Sequence, residues 1–503
     1  MDEARWVVEP FRIGSPEQFA RLREVFEALG YTEREVCKRF GIETIHQAVR
    51  RLEPDREVSD PQALLIRLFL ETAEVPWRTV RALLSPGDLA AIEDLGLLMP
   101  QEATGESCRT TLALYPTEGF YIASDHGEAG PVSTWRAPAD IVFPAIGEAT
   151  QRFMALMPRT PCGDLLDLCS GTGIAALVGA ARFAEHAWAV DITERSTRFA
   201  RFNAALNDID TVTALEGDLY VPVGDRAFDR IVANPPYIPV LKDEYIFRDG
   251  GEDGERVTWR ILGGLAKHLR PGGFFFCDCV ATDREGAPLQ DRIRRALGEA
   301  ESEFDILVAE ATTFEPTLYY ARRAQRGEES FADVGRRHEL FKRLGIRQLV
   351  SAPVLIHRRG DDARPPVTVR RQLSPLTRSR DLQWALESQA ATAGSGVNRL
   401  LRSRLRANPR AEVRTIHRQH DGQWVLDRCF LVTQAPFVAD ASCPPGYAAL
   451  FMACDGHVTG RDLLQQLKEQ RLVPDDAPEL DFAEVLARLV EHGLLEIADS
   501  TAE

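Results

Sequence analysis

Through the first hundred residues apolar positions recur every three or four places, and this spacing predicts a run of helices. They are expected over residues 16–29, 33–40, 44–52, 61–72, 75–84 and 86–95. The period then changes, and residues 108–115 and 119–124 read as two strands joined by Pro116-Thr117-Glu118. Beyond residue 160, short apolar runs alternate with helical stretches. Strands are expected over 164–168, 187–190, 212–216, 228–233, 274–280, 304–311 and 349–357, an α/β pattern with a mostly parallel sheet. Residues 360–366, Gly-Asp-Asp-Ala-Arg-Pro-Pro, read as a linker. Helical periods return over 383–391 and 397–407, and again from 447 to 497, where Gly493-Leu494-Leu495 closes the last of them.

At 503 residues and 44% apolar content, two to four domains with packed cores are expected. No run of eighteen apolar residues occurs and no charged-then-apolar leader opens the chain, which predicts a soluble, cytoplasmic protein with no membrane partner. The nine cysteines are scattered. Cys277 and Cys279 fall on one face of a strand without the spacing a zinc site needs, so reduced thiols and no metal are expected. The net charge of −16 is uneven: residues 1–125 carry 14 basic against 22 acidic groups, 358–428 carry 15 arginines and no lysine against 7 acids, and 429–503 carry 4 against 13. The acidic first part has the wrong sign for phosphate and reads as a packing or protein-docking lid. Arg402, Arg404 and Arg406 are expected to spread round a solvated helix that compensates the acidic C-terminal part, the alternative being an RNA-facing patch.

The chemistry concentrates at Asn234-Pro235-Pro236-Tyr237, which follows the strand 228–233. An amide or exocyclic amine has its lone pair delocalised, and a site that fixes both N–H hydrogens turns that pair towards an incoming group. The Asn234 side-chain oxygen and the Pro235 carbonyl can be those acceptors. Two prolines stiffen the loop, and Tyr237 offers a flat face. Upstream, Asp167-Leu168-Cys169-Ser170-Gly171-Thr172-Gly173 leads from a strand through a Gly-x-Gly turn into an Ala-rich helix. A dinucleotide-binding turn competes with this reading, but Asp167 would repel a pyrophosphate and suits a cationic, amino-acid-bearing ligand. Asp191, followed by Ile192, ends the next strand and can accept ribose hydroxyls. Asp218 can accept an adenine amino hydrogen while Leu219 packs on the ring.

On these motifs residues 140–360 resemble a class I S-adenosylmethionine-dependent methyltransferase of the small-domain type, most of all the glutamine-N5 methyltransferases of release factors and ribosomal protein. The turn at Asp167–Gly173 matches that family's methionine-binding turn, with Cys169-Ser170 in place of its more usual Gly-Thr or Gly-Cys. Asp249-Gly250-Gly251-Glu252-Asp253-Gly254 and Leu269-Arg270-Pro271-Gly272-Gly273 match later segments. The family's Pro-Arg-Pro segment is missing, and Ile141-Val142-Phe143-Pro144 is its nearest counterpart. The resemblance implies a Rossmann-like seven-stranded core at 126–360 and S-adenosyl-L-methionine as cofactor, bound by Asp167, Cys169, Gly171, Gly173, Asp191, Ile192, Asp218, Leu219 and Asn234. It implies a catalytic set of Asn234, Pro235, Pro236 and Tyr237. Residues 1–125 and 429–503 resemble winged-helix units, with 361–428 an Arg-rich helical connector. Two acceptors compete, a glutamine side chain in a protein and an exocyclic amine of a base in RNA or DNA. A cofactor-binding regulator without catalysis is the third reading, disfavoured by the intact tetrapeptide.

Overall fold

The computed structural model describes residues 11–51, 57–100, 105–126, 138–242, 244–360, 363–393 and 397–498. It divides into two compact units, Met1–Thr282 with Glu315–Arg347, and Asp283–Phe314 with Gln348–Glu503.

The first unit opens on the helix Pro16–Ala28, started by a capping box between Ser15 and Gln18. The helix Glu33–Phe40 stops at Gly41, whose φ of +62° is the left-handed cap. Two expected helices differ in detail. Residues 44–52 form a 3-10 turn, Ile45–Arg51. Residues 75–84 begin as a strand, because Val75 precedes a proline and so favours extended backbone, and it pairs with Cys108. This strand, β1 (Val75–Pro76), joins β2 (Leu98–Pro100) and β3 (Ser107–Thr110) in the order β1-β3-β2. The helices Trp77–Leu83 and Pro86–Glu93 lie between β1 and β2 in the chain. A hairpin follows, β4 (Ala113–Thr117) with β5 (Phe120–Ser124).

Five parallel strands form the centre of this unit: β6 (Cys162–Leu168), β7 (Ala184–Asp191), β8 (Val212–Glu216), β9 (Phe228–Ala233) and β10 (Leu269–Arg284). Their order is β8-β7-β6-β9-β10. Leu165, Leu166, Ile231, Phe275 and Phe276 are fully buried in it. The strands run outward in one direction from β6 to β8 and then restart on its other side at β9. Such a reversal opens a crevice at the carboxyl ends of β6 and β9. The β4–β5 hairpin docks on the helix Glu194–Leu206. Ala123 N donates to Asn203 Oδ1 at 2.7 Å and Tyr121 N to Asn207 Oδ1 at 2.8 Å. Phe11 and Phe19 pack edge-on against Phe202.

In the second unit β11 (Phe304–Glu310) and β12 (Thr312–Phe314) both run antiparallel to β13 (Ile346–Arg358). A strand absent from the sequence expectation, β14 (Thr368–Gln372), pairs parallel with β11. The Arg-rich segment is therefore not a helical connector. The helix Ser379–Thr392 is present, but the expected helix over 397–407 is a single turn, Val397–Leu400, followed by β15 (Arg404–Ala407). The alternation of Arg402, Arg404 and Arg406 is the period of a strand: Leu405 is buried while Arg404 and Arg406 are exposed. β16 (Glu412–His420) and β17 (Gln423–Thr433) form a long hairpin, and β18 (Ala439–Cys443) pairs with the base of β17. The C-terminal helices Pro445–Met452, Gly460–Glu469 and Glu479–Glu491 accompany β19 (Asp455–Thr459) and β20 (Leu495–Ile497), which flank β15 in the order β19-β15-β20.

Candidate active site

A cavity of about 1240 Å³ opens at the carboxyl ends of the central strands. All the singled-out residues line it except Gly173: Asp167, Cys169, Gly171, Asp191, Ile192, Asp218, Leu219 and Asn234 to Tyr237. Gly173 acts from behind. Its φ is +77°, and a Cβ there would lie 2.8 Å from the Ala200 side chain, so the turn needs glycine to seat the helix Ile174–Arg182. Cys169 takes a left-handed φ of +57° without being glycine.

The turn and the second strand end are tied together. Gly171 N donates to Asp191 Oδ2 at 2.9 Å, and Thr193 N donates to Asp191 Oδ1 at 3.1 Å. Thr193 also caps the next helix through Ser196 N. Asp167 is 3% exposed and accepts from Ala176 N at 3.2 Å. Burial pushes its carboxyl from 3.8 up to about 8, against that N–H and with help from the Asp191 charge. Burial likewise raises Asp191, although its amide donors oppose the shift. Among the described residues neither carboxylate has an ion-pair partner. Two buried acids side by side without a cation suit a positively charged ligand. Asp218 stands apart: its side chain is 40% exposed, and Arg260 Nη2 holds its Oδ2 at 2.6 Å.

On the other wall, Asn234 Oδ1 is buried and accepts no hydrogen bond in the structure. Ser170 Oγ is the other cavity-lining side-chain atom in that state among the described residues. A buried acceptor without a donor is costly, and natural structures keep few of them. Tyr237 lies beyond it, its phenol pushed up to about 12 by burial and the nearby Asp278 charge. Asp278 itself is buried and gripped by Arg152 through two contacts of 2.8 Å.

The Gly-Gly-Glu-Asp-Gly segment buttresses the loop. Ile238 N donates to Arg248 O, Gly250 N to Ile238 O and Val240 N to Gly251 O, each at 2.9 Å. Asp249, 3% exposed, accepts from Tyr245 N at 2.8 Å and from Arg248 Nε at 2.8 Å. At the rim Phe143 stacks on Phe247, with centroids 5.2 Å apart and planes 8° from parallel. The Ile141–Pro144 stretch, the nearest counterpart of the missing Pro-Arg-Pro segment, lines the cavity.

Sequence reasoning missed Arg260, Ser170, Thr193 and the whole contribution of the N-terminal part. Thr193 was legible as an N-cap before Glu194. His46, Leu70, Thr72, Ala113 and Tyr115 form a wall of the cavity, and no local motif marks them. Tyr115 Oη accepts from Ala145 N at 2.6 Å, and His46 Nδ1 lies 2.9 Å from Ile146 O. His126, His186 and His268 lie outside the cavity, and His186 and His268 bond to Thr213 Oγ1 and Arg226 O at 2.9 Å each. Among the described residues no group of three or more His, Cys, Asp or Glu could hold a metal, and no helix is long and apolar enough to cross a membrane.

Residues 143–303 match the family described as Methyltransferase small domain. With the strand order and the cavity, this makes the central region a Rossmann-like core of the S-adenosylmethionine-dependent, small-domain, glutamine-methyltransferase-like superfamily. The chain is 36% identical over 126 residues to a ribosomal protein uL3 glutamine methyltransferase of Bradyrhizobium diazoefficiens, covering 23% of this chain and 40% of that protein. It is 31% identical over 183 residues to a release factor glutamine methyltransferase of Caulobacter vibrioides, covering 34% and 60%. The match thus spans about half the length of such relatives. Among solved structures, the ribosomal protein L11 methylase of Lactobacillus delbrueckii subsp. bulgaricus aligns at 21% identity over 40% of this chain and 72% of that one, with a TM-score of 0.25. The fold assignment rests on the strand order instead.

Proposed function

We propose that the protein is an S-adenosylmethionine-dependent N-methyltransferase acting on a planar nitrogen, a glutamine side chain of a protein in the first instance. The observation that carries this is Asn234 Oδ1, a buried acceptor with no donor of its own, set beside Pro235 in a large cavity. A primary amide brings two N–H donors, one for Asn234 Oδ1 and one for the Pro235 carbonyl. Fixed acceptors stabilise the charge that develops on the nitrogen, and they need no reorganisation during transfer. The cofactor would supply an electrophilic methyl on a sulfonium. The buried Asp167 and Asp191 favour a cation, and Asp191 at the end of β7 would accept the ribose hydroxyls. Leu219 and Ile192 offer apolar faces to the adenine, and the Arg260-bound Asp218 keeps its second oxygen for the adenine amino group. Positioning does most of the remaining work. Two relatives whose names specify glutamine methylation support the amide acceptor.

The same loop chemistry fits an exocyclic amine of a nucleobase, and the flat Phe143–Phe247 pair at the rim favours that second reading. In both readings the N-terminal part serves as a docking lid. Its β1-β3-β2 order after a helix, and the β19-β15-β20 order at the other end, support winged-helix-like units. Incubation with radiolabelled cofactor and cell lysate, followed by protease or RNase, tests the assignment. Label removed by protease and recovered as N5-methylglutamine is expected, and label removed by RNase would move the acceptor to a base.

A further inference from the structure

Residues 397–428 hold eight arginines, no lysine and three acids. All eight arginines are exposed. Arg414 pairs with Glu412 at 2.8 Å, and Arg418 and Arg428 share Asp427 at 3.0 and 3.2 Å. Arg399, Arg402, Arg404, Arg406 and Arg410 form no ion pair among the described residues. Even Arg406, whose cross-strand neighbours are Asp455 and Glu496, bonds to neither. Among the described residues these five arginines therefore make no ion pair with the acidic C-terminal part that was expected to compensate them.

This band runs into the β16–β17 hairpin, whose outer part, from 414 on β16 to 428 on β17, is exposed throughout. A two-stranded ribbon bare on both sides is at the edge of stability in water, yet this one carries Ile416, Val425 and Leu426 and leaves Trp424 71% exposed. Trp424 lies opposite Gln419 and Leu426 opposite His417, so these four share one face. An exposed indole on the ribbon, preceded in the chain by five guanidinium groups without ion pairs on and around β15, matches unstacked bases and phosphodiesters. The helix Glu479–Glu491 carries Glu479, Asp481, Glu484 and Glu491 against one arginine, Arg488, so it repels phosphate. Any such contact falls to the strands instead.

We propose that the exposed face of β15 and the β16–β17 ribbon bind a nucleic-acid strand with unpaired bases. The proposal does not depend on the transfer chemistry and holds for either methyl acceptor. The test is fluorescence anisotropy of the full chain with labelled single-stranded oligouridylate, the matching DNA strand, duplex RNA and polyglutamate over a salt series. Single strands should bind more tightly than duplex, and polyglutamate weakly. Changing Arg402, Arg404 and Arg406 together to Gln should flatten the log–log salt slope by up to ~0.7 per lost phosphate contact. Trp424→Ala should weaken binding about tenfold or more at an unchanged slope, while Asn234→Ala binds as wild type. Both surface variants should keep the wild-type thermal transition. Equal binding of polyglutamate would overturn the proposal in favour of an acidic protein partner. A self-association in sedimentation that Trp424→Ala abolishes, without oligonucleotide binding, would assign the ribbon to a second copy of the chain. Wild-type affinity in both surface variants would also overturn it.

Discussion

Gly171 and Asp191 hold each other: the amide of the turn after β6 donates to the carboxylate that ends β7, at 2.9 Å. The acid therefore shapes the floor of the cavity as well as facing it. Replacing Asp191 by Ala removes the acceptor for Gly171 N and Thr193 N together with the ligand contact proposed for it. Cofactor affinity should fall by roughly 1.5–3 kcal/mol, about ten- to a hundredfold. Titration calorimetry measures it, and unchanged affinity would remove Asp191 from the cofactor site.

Asn234→Ala should separate binding from turnover. Cofactor affinity should stay within a few-fold of wild type while the rate drops at least about a hundredfold, as loss of a preorganised polar group does. Because the lost oxygen accepts nothing in the structure, thermal stability should not fall through a broken hydrogen bond. Single-turnover kinetics beside a melting curve checks both parts.

The Asp167 carboxyl gives a pH signature. Its folded-state value, about 8 against an ordinary 3.8, means that the folded chain keeps a proton the unfolded chain has released. Across that window the contribution of Asp167 to stability is largest at the acid end and declines as pH rises towards 8. Asp167→Asn should flatten this part of the pH–stability profile and should also weaken cofactor binding. Denaturant titrations at a series of pH values show whether the slope differs between the two proteins.

Gly254 has φ +80°, and a Cβ there would lie 2.5 Å from the Tyr237 carbonyl oxygen. Gly254→Ala should cost about 1–3 kcal/mol of stability and displace the Asn234–Tyr237 loop, lowering turnover more than cofactor affinity. Gly272→Ala is the control, since it also has a positive φ (+83°) but nothing within 4 Å of its Cβ. It should lose stability without the selective loss of turnover.

Local sequence determined the parts of this protein that depend on short-range geometry. Strand ends at Leu168, Asp191, Glu216 and Ala233 were readable because buried parallel strands are continuous apolar runs, and their loops carry the residues that face the cavity. The tetrapeptide and the Gly-x-Gly turn were readable because prolines and glycines set backbone shape locally. The segment 397–407 misled, since a few alternating arginines satisfy a helical and a strand pattern alike. Pairing of Leu405 with Ile497 and of Arg404 with Thr459 made it a strand. Tertiary structure alone decided that His46, Thr72 and Tyr115 wall the cavity, that Arg260 holds Asp218, and that Asn234 Oδ1 is left without a donor. Each of these depends on contacts between residues far apart in the chain, or on which polar groups burial leaves unmatched, and no local pattern encodes that.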